Sequence, residues 1–471
     1  MRLVSTVQFI ALPLAASLAA GAAHAAAERP LADNIVPVVV SGGNPDLRNT
    51  PLVDVTVCNQ RGKCKIVPNV IVDTGSTGLV LFRGAVEELD LGPVSFHARS
   101  VQPYTKWWKS GSKNVLGPLR WAKVGLGNVM TTQAIPVLVF DLPKRGEALP
   151  QGYAQVDGRW AMSLRSNGIL GIGPQRVSEN GYLFRQGAEW VDIGDYWPGE
   201  LIGKQLANPI AHFPAPYNNG SVISMPEVDW RNGAKRVRGW LGLGIGKATE
   251  ELFPSAIRVV SHDLDAKSAF PAMLAKREVR VKVRSGFSGS LLDLAHLGVP
   301  MHPSAAQLHD ASAPMSIELA VPSGGGFTPL SRPLYVGPTL DYIESHRGCG
   351  ALPMVTGWHG EPDATNVLGL PFYYGRVVAT GLSGTVNPFA RGALTKAPFV
   401  AVDDDDEDFE IVDAEPARIG AANGPAIIDD YLDRHERRHP APKGPRAAVA
   451  DEDFELLSVS PNGFIAYTDS D

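Results

Sequence analysis

Only three cysteines occur among 471 residues, so the chain is not built on a dense disulfide framework. Beyond the N-terminal leader no segment is both long and apolar enough to cross a bilayer, which takes about 20 residues. Helical periods are scarce, which argues against a helix bundle. Nucleotide and metal signatures are missing too. Gly242-Leu-Gly-Ile-Gly246-Lys247 carries Leu241 where a phosphate loop needs glycine, and a glycine-rich strand fits it better. Gly286-Phe-Ser288-Gly-Ser290 lacks the final glycine of a nucleophile elbow. His296, His302 and His309 are not spaced as metal ligands, and His435 and His439 have no evident third partner. No cofactor, nucleic acid or membrane partner is expected, and the protein is read as a monomer.

Glycine and proline are abundant, with 49 and 38 copies, which favours short strands joined by tight turns. Strand patterns occur at Ile35–Val40, Val53–Val57, Ile66–Val72, Ile135–Phe140, Ser221–Met225, Ile257–Val260 and Glu278–Val283. Residues 1–25 read as an export leader: Arg2, an apolar stretch from Val7 to Leu18, then Ala23-His24-Ala25 as a cleavage pattern. The protein is therefore expected in the periplasm or outside the cell. In such an oxidising space Cys58 and Cys64, separated by the polar turn Asn59-Gln-Arg-Gly-Lys63, are placed to form a hairpin disulfide. Cys349 is left as a free thiol.

Charge is distributed in blocks. Residues 400–471 hold 19 acidic and 6 basic residues, a net of −13, whereas the preceding part carries +7. The composition predicts a disordered acidic tail over 392–471. Within it Asp406-Glu-Asp-Phe-Glu-Ile-Val412 is echoed by Asp451-Glu-Asp-Phe-Glu-Leu-Leu457, and 427–439 has the marks of a short helix.

The strongest chemical signal is the apolar strand Asn69-Val-Ile-Val72 running into Asp73-Thr74-Gly75-Ser76-Thr77-Gly78. Such a loop holds a carboxylate at a strand end, where the Thr74 and Ser76 hydroxyls and glycine amides reach it. An ordinary strand-to-turn aspartate is the bland alternative. Three further motifs follow in order: Asn167-Gly-Ile-Leu-Gly171-Ile-Gly173, Asn219-Gly220-Ser221-Val222, and Asn366-Val-Leu-Gly369-Leu-Pro-Phe-Tyr-Tyr374.

Together these motifs resemble the pepsin-like aspartic proteases. They look closest to an uncharacterised group of bacterial exported proteins with a Val-Asp-Thr-Gly-Ser-x-Gly-Leu motif. The likeness covers roughly 34–391. It implies an all-β fold, a bilobal pepsin-like double β-barrel with a few short helices, its N-terminal lobe over 34–235 and its C-terminal lobe over 236–391.

That chemistry needs two aspartates sharing one proton. The second-lobe counterpart is Val279-Arg-Val-Lys-Val-Arg284-Ser285-Gly286, and Arg284 stands where the aspartate belongs. No other Asp-Ser-Gly or Asp-Thr-Gly is present. An arginine there is expected to form a salt bridge with Asp73 and to hold it ionised. Misalignment is the competing explanation, with Asp293 or Asp265 as the second carboxylate. The resemblance also implies a hairpin flap, for which Tyr104, Trp107 and Trp108 fall in the right interval. Asp73 is thus the candidate catalytic residue, with Thr74, Gly75, Ser76, Ser285, Gly286 and those aromatics lining the binding site. The reading is an impaired protease relative that binds an extended polypeptide, or its own C-terminal tail, between the lobes. The alternative is an active endopeptidase using Asp73 and an unidentified second carboxylate.

Overall fold

The computed structural model describes residues 32–42, 47–95, 104–110, 113–140, 166–178, 182–186, 189–192, 199, 202–252, 258–260, 264, 268–303, 308–323, 326–330, 332–357, 365–386, 459–460 and 464–469. The leader, Asp265, the two acidic repeats and the helix expected at 427–439 lie outside them.

The apolar runs of the first part become strands. β1 (Ile35–Ser41), β2 (Leu52–Cys58), β3 (Cys64–Asp73) and β4 (Thr77–Phe82) are followed by β5 (Tyr104–Ser110), β6 (Lys113–Leu126) and β7 (Val129–Met130). β8 (Ile135–Phe140), β9 (Gly168–Ile172), β10 (Tyr182–Gln186) and β11 (Glu189–Asp192) complete the lobe. The order β6-β8-β4-β9-β3-β2, with β2 returning to β6, closes a six-stranded barrel. Val55, Val57, Val72, Leu79, Leu81 and Val124 are fully buried in its apolar core. Closure removes sheet edges that would otherwise invite association. At the β2–β3 turn, Asn59 Oδ1 accepts from the Arg61 and Lys63 backbone N–H groups, and Gly62 supplies a φ of +84°. Cys58 faces Cys64 across this hairpin and the two form the expected disulfide.

Beyond β12 (Gly220–Met225) and β13 (Arg236–Leu243) comes the second lobe. Its strands are β14 (Arg258–Val260), β15 (Phe270–Leu274), β16 (Arg277–Val283), β17 (Ser290–Leu291), β18 (Asp310–Ile317), β19 (Leu319–Ser323), β20 (Gly326–Pro329), β21 (Leu334–Pro338), β22 (Thr356–Gly357) and β23 (Asn366–Leu368). They form a sheet ordered β20-β19-β15-β16-β23-β17-β22 and a separate β18–β21 pair. The fold is all-β with a few short helices, as expected.

The chain ends with β24 (Arg376–Gly381), β25 (Thr385–Val386), β26 (Val459–Ser460) and β27 (Phe464–Asp469). A sheet ordered β1-β13-β12-β24-β27-β14 joins strands from both halves of the chain. This corrects the expectation of a disordered tail running to residue 471. β27 pairs with β24 along its whole length, and Ile465 is buried. β25 also pairs with β26. The cause is local. Phe464-Ile-Ala-Tyr-Thr468 is a run of mostly good strand formers, and a composition averaged over some seventy residues conceals it.

Candidate functional site at the lobe seam

Two strand ends build the site. The last residues of β3 pair in parallel with β9, Asp73 lying opposite Gly171. In the second lobe β16 pairs in parallel with β23, and the Arg284 N–H continues that ladder to the Leu368 carbonyl at 2.9 Å. The glycine beside each loop has a steric reason. A Cβ on Gly171 would meet the Ser76 and Thr77 backbone at 2.8 Å, and one on Gly369 would meet the Phe287 carbonyl at 2.6 Å. The spacing of the Asn-Gly-Ile-Leu-Gly and Asn-Val-Leu-Gly motifs therefore reflects strands that pass against the loops.

The loops clasp each other with a reciprocal pattern. The Thr74 N–H donates to Ser285 Oγ at 3.1 Å, and the Ser285 N–H donates to Thr74 Oγ1 at 3.0 Å. Each hydroxyl then donates to the carbonyl that precedes the opposite loop: Ser285 Oγ to Val72 at 2.8 Å, Thr74 Oγ1 to Val283 at 3.3 Å. The buried Tyr373 hydroxyl lies 2.8 Å from Thr74 Oγ1 and can donate to its remaining lone pair. Position by position, Val72 matches Val283, Asp73 matches Arg284, Thr74 matches Ser285 and Gly75 matches Gly286.

Within this symmetric frame the first residue of each loop differs in charge. Asp73 is fully buried, and its Oδ1 accepts from the Gly75 N–H at 2.8 Å and the Gly286 N–H at 3.3 Å. Its Oδ2 has no hydrogen-bond partner. Arg284 is buried as well, and its aliphatic stem fills the space over Gly75, where a Cβ would sit 2.5 Å from its Cγ.

Two expectations are corrected here. Among the described residues no ion pair joins Arg284 to Asp73, because the carboxylate turns to the glycine amides while the guanidinium stem crosses Gly75. Nor does the cation dominate the titration of Asp73. Burial pushes that carboxyl above its usual range, and the opposing effects of Arg284, of the nearby Ser76 hydroxyl and of the Gly75 and Gly286 amides are smaller. Ser76 acts on the carboxylate without hydrogen-bond geometry, since its buried Oγ has no partner.

The remaining candidates are distributed as follows. Asp293 is committed elsewhere: its Oδ2 pairs with Arg277 at 3.0 Å and its Oδ1 accepts from the Ala295 N–H. Among the described residues the charged group acting on Asp73 is Arg284, and no carboxylate acts on it. Tyr104, Trp107 and Trp108 fall in β5, which forms a hairpin with β6; their side chains lie outside the described residues. Gly75, Thr77, Gly286 and Ser288 are only partly buried and form the accessible rim of the two loops.

Two contributors were missed in the sequence. Tyr373 stands beneath the clasp, and Asn49 links the lobes by accepting from the Tyr374 hydroxyl at 2.8 Å and the Leu352 N–H at 2.7 Å. The Tyr-Tyr pair after Gly369-Leu-Pro-Phe was visible as a motif, but nothing local tells that one ring faces the other lobe's loop. Asn49 carries no local signal beyond its φ of +49°, which only the structure reveals.

These pairings define a two-lobed all-β protein whose lobes meet through matching strand-end loops. Residues 30–401 match the family model described as Protein of unknown function (DUF3443), and the chain belongs to that family. No curated protein matches it. Among solved structures it is similar to the crystal structure of aspartic proteinase from Irpex lacteus, at 15% identity and a TM-score of 0.41, over 73% of this chain and 93% of that one.

Proposed function

We propose that this chain is an exported protein on the pepsin-like plan that has lost proteolysis and binds an extended polypeptide between its lobes. One observation carries the catalytic half: Asp73 is fully buried and faces Arg284 across the loop clasp, with no carboxylate among the described residues acting on it. Peptide hydrolysis of this kind needs one carboxylate to activate water and a second group to protonate the carbonyl oxygen. A guanidinium does not give up a proton. Removing a member of a cooperating catalytic set costs on the order of 10⁴–10⁶ in turnover.

Binding has weaker requirements. Adding a strand along a groove draws on backbone hydrogen bonds and side-chain pockets, not on a dyad. The accessible loop rim of Gly75, Thr77, Gly286 and Ser288, together with the β5–β6 hairpin, would supply the walls. Export is supported by the Cys58–Cys64 disulfide, which persists in oxidising compartments.

The test incubates purified full-length protein with an unfolded protein at acidic and neutral pH, beside an Asp73→Ala control. Equal, background cleavage in both and retention of the unfolded protein by the wild type support this reading. Cleavage that disappears in Asp73→Ala establishes the active endopeptidase instead.

A further inference from the structure

Arg284 is a buried cation with an unsatisfied donor. Its side chain is nine-tenths buried, and its Nε is sealed from solvent with no hydrogen-bond partner. No carboxylate among the described residues pairs with it. The nearest candidate, Asp73, spends Oδ1 on the Gly75 and Gly286 amides. Asp73 is the opposing charge, but it makes no ion-pair contact and leaves Nε unsatisfied, which is costly for a buried guanidinium unless something completes it. The loop frame does not need the charge, since the clasp uses Thr74, Ser285, Val72 and Val283 alone. The terminal nitrogens are not sealed as Nε is, and beside the accessible loop rim their planar fork matches one chemistry best, a carboxylate held by two parallel hydrogen bonds.

We infer that Arg284 anchors a carboxylate of the bound polypeptide, so that the groove selects acidic segments or free chain ends. This rests on the polypeptide-binding reading above and adds its ligand class. Two sources present the same group, an Asp or Glu side chain and a C-terminal carboxylate.

The experiment separates them. Four matched pools of fluorescent decapeptides, varied at apolar positions, carry a central Glu or Gln and end as free acid or amide. Their binding to full-length wild type and to Arg284→Met is followed by fluorescence polarisation. For wild type the Glu pools, or the free-acid pools, bind about 10- to 100-fold tighter than the Gln amide pool, and the pool that gains identifies the source. In Arg284→Met, which keeps most of the stem over Gly75, the preference vanishes. Should that variant fail to fold, the wild-type Glu-to-Gln ratio decides alone. Equal affinity of wild type for all four pools, or a preference that survives in Arg284→Met, overturns this inference and leaves the binding reading intact. If no pool binds wild type, the binding reading itself falls.

Discussion

Replacing Thr74 by Val keeps the shape of the side chain and removes one hydroxyl. The Ser285 N–H, the Val283 carbonyl and the Tyr373 hydroxyl all lose that partner in a buried site. A stranded buried polar group costs about 1–3 kcal/mol, so three of them put the loss in Thr74→Val at roughly 3–9 kcal/mol. Ser285→Ala strands the Thr74 N–H and the Val72 carbonyl, for a loss of about 2–6 kcal/mol by the same rule. Although the two hydroxyls share no bond, both sets close one interface, so loops parted by the first change have less to lose from the second. The double variant should therefore be about 1–3 kcal/mol less destabilised than the sum. Guanidinium unfolding followed by tryptophan fluorescence gives all four corners of the cycle. Thr74→Ser, which keeps the hydroxyl, serves as the control and should cost well under half as much as Thr74→Val. Losses below about 0.5 kcal/mol in each single variant, or strict additivity in the double, would show that the loops do not hold the lobes together.

Two further outcomes follow from the same coordinates. Burial holds the His309 imidazole down to about 4, so the unfolded chain takes up its proton first. The stability this residue supplies is complete above its ordinary value near 6.5 and is lost as pH falls from there toward 4. The loss amounts to about 3 kcal/mol, and His309→Gln should flatten unfolding free energy against pH over that window. Deleting residues 459–471 uncovers the β24 edge and removes the buried Ile465. A loss of at least about 2 kcal/mol and a tendency to associate are expected from thermal unfolding and size-exclusion chromatography. An unchanged melting temperature would mean that β27 contributes nothing to the sheet.

Much of the fold was legible because it is local. Alternating or continuous apolar runs such as Ile35–Val40 and Ile135–Phe140 have one stable use, as half-buried or fully buried strands, and each appears within a residue or two of its expected span. The ordered glycine motifs were legible for a related reason, since a strand that passes against a loop backbone leaves no space for a side chain. What escaped depends on relations across the chain. The rotamer of Arg284 follows from the open face of Gly75, 209 residues away, so sequence alone suggested a salt bridge by proximity of type. The titration of Asp73 went the same way: charge identity is written in the sequence, whereas depth of burial is not, and burial is the larger effect. β27 was hidden by averaging, because a short strand-forming run ends a segment whose mean composition points to disorder.

The reciprocal hydrogen bonds also account for how a fold can keep this seam while changing its chemistry. Every bond of the clasp is made by the second residue of a loop or by the backbone carbonyl just before the loop. The first residue of each loop contributes its side chain to the space between the lobes, Arg284 over Gly75 and Asp73 over Gly286, where any Cβ on the glycine would collide with it. The charge at position 284 is therefore set apart from the clasp, while Asp73 adds one bond across the seam, from the Gly286 N–H. An aspartate on one side and an arginine on the other fit the same frame as a like pair would. Under the function proposed above, Arg284 leaves Asp73 without a second carboxylate while the loop frame stays in place.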